Sequence, residues 1–232
     1  MPSILLLATN NKDKIIELQD LLKDLNLQLV TPADINLDLD VIEDGLTYAE
    51  NASKKALTFA QASGLISLAD DSGLEVDALN GEPGLYSARY GSIDGKKLSD
   101  GERRKYLLSK LQHYPRSWTA RFKATIAIAV PAHVTLSEMK GLSPREETLR
   151  SLRELTSSRR PFGRVTHVEG ICEGEIIPEE RGTGGFGYDP IFLFPELGKT
   201  MSELSMDEKN RLSHRAKAVM KAKGVLKSLF NS

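Results

Sequence analysis

The sequence predicts an α/β fold, and three observations carry that expectation. The chain opens as strand, loop, helix and strand. A helix rich in alanine then leads into a third strand, which stops at an acidic Asp70-Asp71-Ser72-Gly73 string. Further on, Phe122, Ala124, Ile126, Ile128 and Val130 alternate and then merge into a wholly apolar run, the pattern of a central strand. Strands separated by helices point to a sheet covered by helices.

The elements follow in order. Ile4 to Ala8 is a short apolar run bounded by polar residues, as a buried strand is. Asn11 is placed to cap the next helix, where Ile15, Leu18, Leu22 and Leu25 recur at helical spacing. Leu27 to Val30 returns as a strand. Residues 46–63 form a second helix, with Leu46, Ala49, Ala52, Ala56 and Ala60 on a small-residue face and capping-box spacing between Thr47 and Glu50. Gly64 ends it, and Leu65 to Ala69 is the third strand. Glu102 to Leu111 reads as a helix, and Val165 to Ile177 as two strands with a turn near Glu173-Gly174. Residues 182–187 form a glycine-rich loop, and one last helix runs from about Asp207 to Leu229. Between two strand regions lies 131–164, rich in proline, serine and arginine, which reads as a surface insertion within a single domain spanning 1–232.

The composition is that of an ordinary globular protein, with 40% hydrophobic and 27% charged residues. Net charge is −1, so the totals lack the basic excess expected of a general nucleic-acid binder, and no stable nucleic-acid partner is expected. One cysteine, Cys172, excludes an internal disulfide and a thiolate-rich metal site. No apolar run approaches the ~20 residues of a membrane span. The expectation is a cytoplasmic protein with no membrane partner.

Four groups of residues invite chemistry. Thr9-Asn10-Asn11-Lys12-Asp13-Lys14 sits between a strand and a helix start, where backbone N–H groups and the helix dipole favour an anion. It lacks the glycines of a Walker loop, so a simple cap with surface lysines is the competing reading. Asp70-Asp71-Ser72-Gly73 lies at the carboxyl end of a strand, the usual ligand side of an α/β sheet. Two adjacent carboxylates repel unless a cation or a proton is near, and Glu43 is positioned in sequence to complete an Mg²⁺ site. The alternative is a local Asx-turn. Gly182-Thr183-Gly184-Gly185-Phe186-Gly187-Tyr188-Asp189-Pro190 either exposes an aromatic for base stacking or buries Phe186 behind a tight turn. Finally Lys199, Lys209, His214 and Arg215 supply cations, although residues 209 and 215 do not share a face on one continuous helix. Cys172 reads as a small buried hydrophobe with no partnered histidine indicated, and Trp118 as packing.

Together these strings resemble the inosine triphosphate pyrophosphatase family. The resemblance rests on Thr9 to Lys14, Glu43 to Ala52, Ala69 to Asp77, Pro83 to Tyr90, Gly182 to Pro190 and Ser213-His214-Arg215, in that order over residues 4–229. It implies a mixed, elongated α/β sheet with flanking helices and two lobes around a central cleft. It also implies a homodimer and Mg²⁺-dependent hydrolysis of ITP, dITP and XTP to monophosphate and pyrophosphate, which clears deaminated purines from the nucleotide pool.

Carried over by position, Asp71 resembles the catalytic carboxylate. Glu43 and Asp71 resemble the metal ligands, with Asp70 in support. Thr9, Asn10, Asn11, Lys12, Asp13, Lys14, Ser72, Lys199 and Lys209 fall to the phosphates. Phe186, Gly187, Tyr188, Asp189, His214 and Arg215 fall to the base. The long 131–164 segment departs from the family pattern. A Maf-like pyrophosphatase of different base preference is a competing enzyme reading, and a non-hydrolysing nucleotide-binding regulator a competing class. The Gly182–Pro190 and Ser213–Arg215 strings argue against the first, and retention of Glu43, Asp71 and Lys14 against the second.

Overall fold

The computed structural model describes residues 3–92, 96–131 and 163–230. Most of the segment 131–164, read above as an insertion, lies outside the described residues. Seven strands hydrogen-bond in the order β2-β1-β3-β4-β5-β6-β7. They are β1 (Ser3–Leu7), β2 (Leu27–Val30), β3 (Ser67–Val76), β4 (Trp118–Val130), β5 (Arg164–Ile176), β6 (Phe192–Phe194) and β7 (Lys199–Thr200). Five helices accompany them among the described residues: α1 (Lys12–Leu22), α2 (Tyr48–Ser63), α3 (Asp100–Leu111), α4 (Met206–Leu212) and α5 (His214–Phe230). Pairing is parallel for β1 with β2 and β3, and antiparallel for β6 with β5 and β7, so the expected α/β fold with a mixed sheet and helices is borne out.

The described residues form two compact units. The first holds residues 3–71, 125–131, 163–168 and 219–230. Its core joins Leu6 and Ala8 of the β1 region, Ala69 of β3, and Ala127 and Ala129 of β4 to Ala52, Ala56, Phe59 and Ala60 of α2. The alanine stripe thus does what its spacing suggested: small side chains let α2 lie close on the strands. Leu46 is not part of it, being 85% exposed and ahead of the helix. Thr47 caps α2 by accepting from the Glu50 N–H, and Gly64 closes it in the left-handed conformation at φ 72°.

The second unit holds residues 72–92, 96–124 and 169–218. Its core gathers Leu74 and Val76 of β3, Leu107 and Leu111 of α3, Trp118, Ala120 and Phe122 of β4, Cys172 and Ile176 of β5, and Phe192 and Phe194 of β6.

Three expectations change. β3 does not stop at Ala69 but runs through Asp70-Asp71-Ser72-Gly73 to Val76. Leu74 and Val76 continue the alternation into the second core, and lysines rather than a turn relieve the carboxylates. Residues 164–176 form one strand, not two. Gly174 serves close approach instead of a turn: a Cβ there would meet the Leu193 carbonyl at 2.5 Å and the Phe192 ring at 2.6 Å. The last helix is broken at Ser213, whose ψ of 153° leaves the helical range. The Ser213 hydroxyl accepts from the Ala216 N–H at 3.1 Å, starting α5 afresh.

Candidate functional site

In the first unit, five side chains converge on β3. Successive strand side chains leave on opposite faces. Asp70 accordingly pairs with Lys14, at 2.8 Å to Nζ, while Asp71 approaches Lys55, at 3.7 Å. Both ammonium groups also donate to the carbonyl oxygen of Asp70, Lys14 at 3.3 Å and Lys55 at 2.8 Å. Lys55 completes its contacts with Glu43 Oε1 at 2.7 Å. Two lysines therefore balance three carboxylates around one peptide.

Local structure explains the convergence. The Asn11 side chain accepts from the Lys14 N–H at 3.0 Å, so the cap that starts α1 also fixes where Lys14 departs. The Asn51 amide oxygen accepts from the Gly45 N–H at 2.8 Å, and Glu50 accepts from the Leu46 N–H at 2.6 Å. These bonds hold the segment bearing Glu43 to the start of α2. A Cβ on residue 45 would meet the Asn51 side-chain oxygen at 2.7 Å, which explains the glycine.

Asp71 is almost fully buried. Burial raises its pKa above the ordinary 3.8, against the pull of Lys55 and Lys14, and the charges of Glu43 and Asp70 push the same way as burial. The carboxylate is thus a stronger base than one in water.

Of the remaining residues expected at the phosphates, Thr9 is half-buried and accepts from the Asn11 N–H at 3.2 Å. Asn10, Asn11, Lys12 and Asp13 are exposed. The residue that sequence reasoning missed is Lys55. Its signal was its place: three residues after Ala52 and four after Asn51, it borders the buried face of α2 instead of the solvent face of Lys54.

In the second unit, a different group surrounds Phe186. The Lys209 ammonium lies 5.4 Å and the Arg215 guanidinium 5.7 Å from the ring centroid, within cation–π range. Both are buried, long cations drawn from either side of the Ser213 break. Without the break their six-residue spacing on one helix would separate them. Asp189 is buried, pairing with Lys209 at 2.7 Å and accepting from the Phe186 N–H at 3.0 Å. Arg215 Nη2 donates to the Ser72 hydroxyl at 3.1 Å, so Ser72 is tied to the group around Phe186.

The other base-stretch residues divide. Gly187 is part of the loop at φ 60°. Tyr188 is core: it is 4% exposed, and its hydroxyl donates to the Ser87 carbonyl at 2.9 Å. His214 is buried and stacked on Phe122, with centroids 4.7 Å apart. Its Nδ1 also lies 3.9 Å from Cys172 Sγ, so the cysteine does have a neighbouring histidine. Burial nevertheless pushes that thiol up to about 12, which keeps it protonated. Lys199 turns to Glu208 at 2.8 Å, where the same carboxylate accepts from the Ser205 N–H that precedes α4.

A model of the Ham1 family matches residues 5–225. The chain belongs to the Ham1 family. This bears out the resemblance carried by the motifs. The dITP/XTP pyrophosphatase of Desulforamulus reducens is 44% identical over 227 residues, covering 97% of this chain and 96% of that protein. The dITP/XTP pyrophosphatase of Thermus thermophilus is 42% identical over 214 residues, covering 92% and 86%. Among solved structures, the Staphylococcus aureus Ham1 protein matches with a TM-score of 0.74 at 33% identity, covering 97% of this chain and 99% of that one. A HAM1 protein from Coxiella burnetii matches at 0.73 and 34% identity, covering 98% and 100%. No described helix is long and apolar enough to cross a membrane.

Proposed function

We propose that this Ham1-family chain is a nucleoside triphosphate pyrophosphatase that hydrolyses ITP, dITP and XTP to the monophosphate and pyrophosphate. The observation that carries the reading is the group that Lys14, Lys55 and Glu43 form around Asp70 and Asp71 of β3. It combines buried carboxylate base strength with concentrated positive charge, which is what splitting a phosphoanhydride with water requires. The family membership and the dITP/XTP pyrophosphatases among its relatives support it.

The contacts support the following roles. The Asp71 carboxylate accepts a proton from the water that attacks the α-phosphorus. As the new P–O bond forms, the bond to the bridging oxygen breaks and pyrophosphate leaves. Lys14 and Lys55 supply positive charge to the phosphate oxygens, and Thr9 and Asn11 supply polar groups beside them. Within the second unit the Phe186 ring is the base-stacking residue that the family resemblance implies. Lys209, which the resemblance gave to the phosphates, lies instead with Arg215 against the Phe186 ring, and both offer donors to the O6 of hypoxanthine or xanthine, so adenine, with an amino group there, is left badly paired.

The donor set fits Mg²⁺. Glu43 and Asp71 carry hard oxygen atoms that both approach the Lys55 ammonium, at 2.7 and 3.7 Å. Among the described residues no set of three His, Cys, Asp or Glu side chains forms a metal cage. Mg²⁺ needs none, because it commonly takes one or two carboxylates and completes its shell with water and substrate phosphate. Glu43 and Asp71 are the residues that would hold it, with Asp70 in support through Lys14. When bound, Mg²⁺ neutralises charge growing on the leaving pyrophosphate. A cytoplasmic homodimer belongs to the same proposal, on the strength of the family resemblance.

A product-resolved screen of purified protein with ITP, dITP, XTP, ATP and GTP tests the reading. Pyrophosphate without free phosphate is expected, fastest from the deaminated purines and abolished by EDTA. Equal turnover of ATP, or release of orthophosphate, would overturn it.

A further inference from the structure

Gly187 spends both of its backbone groups on α3, an element to which the reading above gives no part. Its N–H donates to Asp100 Oδ2 at 2.6 Å, and its carbonyl accepts from Arg104 Nη1 at 2.7 Å. The two side chains lie one helical turn apart on α3, so they reach the same peptide from the same face. Each is itself held. Asp100 pairs through its other oxygen with Arg103, which also donates to the Leu98 carbonyl at 2.7 Å. The second fork of Arg104 donates to Glu180 Oε2 at 2.7 Å. Ser99 and Glu102 form a full capping box at the start of α3, which fixes the turn carrying Asp100.

The neighbouring residue is Phe186. Its N–H is taken by Asp189, so consecutive N–H groups at 186 and 187 end on two different carboxylates. The Phe186 ring is thereby set by two anchors: Asp189 on its own side of the loop, and the α3 pair on the other. Gly187 adopts a φ of 60°, and a Cβ there would meet nothing within 4 Å. Space is therefore not what holds this peptide, and the two charged hydrogen bonds are.

We infer that Asp100 and Arg104 are positioning residues for base discrimination, clamping the Gly187 peptide so that the Phe186 ring stands at a fixed height above Lys209 and Arg215. Neither touches the proposed base. Both act through the loop. The inference rests on the reading of Phe186 as the base-stacking residue, and the test separates the two.

The variants are Arg104→Met, Arg104→Lys, Glu180→Gln and Phe186→Ala, assayed with dITP and dATP alongside thermal melts. Losing a charge-assisted anchor on a binding loop should raise KM for dITP about tenfold. Binding lost equally from ground and transition states leaves kcat nearly unchanged. The preference for dITP over dATP should narrow in Arg104→Met, recover partly in Arg104→Lys, and weaken slightly in Glu180→Gln, which replaces a charged acceptor of Arg104 with a neutral one. If Arg104→Met does not fold, the Lys and Gln variants carry the same comparison.

Wild-type KM and preference in folded Arg104→Met, with Phe186→Ala losing the preference, would overturn the clamp and leave the base site standing. A fall in kcat at constant KM would also overturn it. If Phe186→Ala itself keeps KM and preference, the base-site reading fails, and the clamp fails with it.

Discussion

Alanine at Gly185 and alanine at Gly187 should have very different costs, although the two glycines are two residues apart in one loop. Both adopt left-handed backbone, at φ 71° and 60°. That conformation alone penalises a Cβ by about 1 kcal/mol. At 187 nothing more is added, since the Cβ would meet no atom within 4 Å. At 185 the Cβ would lie 2.2 Å from Asp189 Oδ2 and 3.0 Å from both its Cβ and Cγ. That oxygen is the one bonded to Lys209 at 2.7 Å and to the Phe186 N–H at 3.0 Å. A short side chain held at both contacts cannot yield without leaving its partners. Displacing it strains a buried ion pair, whose disruption costs about 3 kcal/mol or more. Gly185→Ala should therefore destabilise the protein by about 4 kcal/mol against about 1 for Gly187→Ala, read as the difference in extrapolated urea-unfolding free energies. Equal losses in the two variants would refute the packing argument and reduce both glycines to a backbone preference.

Other outcomes follow from the same contacts. Asp71→Asn should lower turnover by about 10²–10⁴-fold, the usual worth of a positioned base, while circular dichroism stays native because a neutral amide suits a buried position. Near-normal turnover would remove Asp71 from its role. Ser213→Ala should cost about 1 kcal/mol of unfolding free energy by removing the cap of α5, and an unchanged melt would show that the break needs no cap. Cys172 should resist iodoacetamide in the folded protein at about pH 8 and react once denatured, whereas fast native labelling would mean that His214 activates it. Its folded pKa of about 12 exceeds the ordinary 9.0, so the stability from burying the neutral thiol is complete below that ordinary value. It declines as pH rises from 9.0 towards 12, which urea melts at mildly and strongly alkaline pH would detect.

Much of the site was legible because its parts are local strings. Asp70-Asp71-Ser72 announced itself as paired carboxylates in need of cations, and Asn11 as a cap beside a lysine. The break at Ser213 was hidden, since Leu212, Ala216, Val219 and Leu226 carry an apolar stripe across it. Periodicity does not register a single residue whose hydroxyl competes with the helix for a backbone N–H. Lys55 carried only the weak signal of its spacing from Asn51 and Ala52. On the sequence it is one of two adjacent lysines, and only the docking of α2 decides that Lys54 reaches Asp44 while Lys55 turns inward to Glu43 and Asp71. Gly174 looked like a turn because a glycine spaced by polar residues has the same signature whether it bends a strand or admits a neighbour.

By itself the sequence determined the α/β class, the family, and the residue types that make phosphoanhydride hydrolysis feasible. These depend on short-range pattern: alternation, helical spacing and caps. The tertiary structure decided which charges meet. It gave Asp70 to Lys14 and Asp71 to Lys55, turned Lys199 away to Glu208, and brought Lys209 and Arg215 to one aromatic ring across a helix break. Coulombic and hydrogen-bond energies are settled within a few ångströms, and the residues concerned are separated by up to 56 positions in the chain at the acidic group alone. Distances of that kind are set by how helices pack on strands, which no local string encodes.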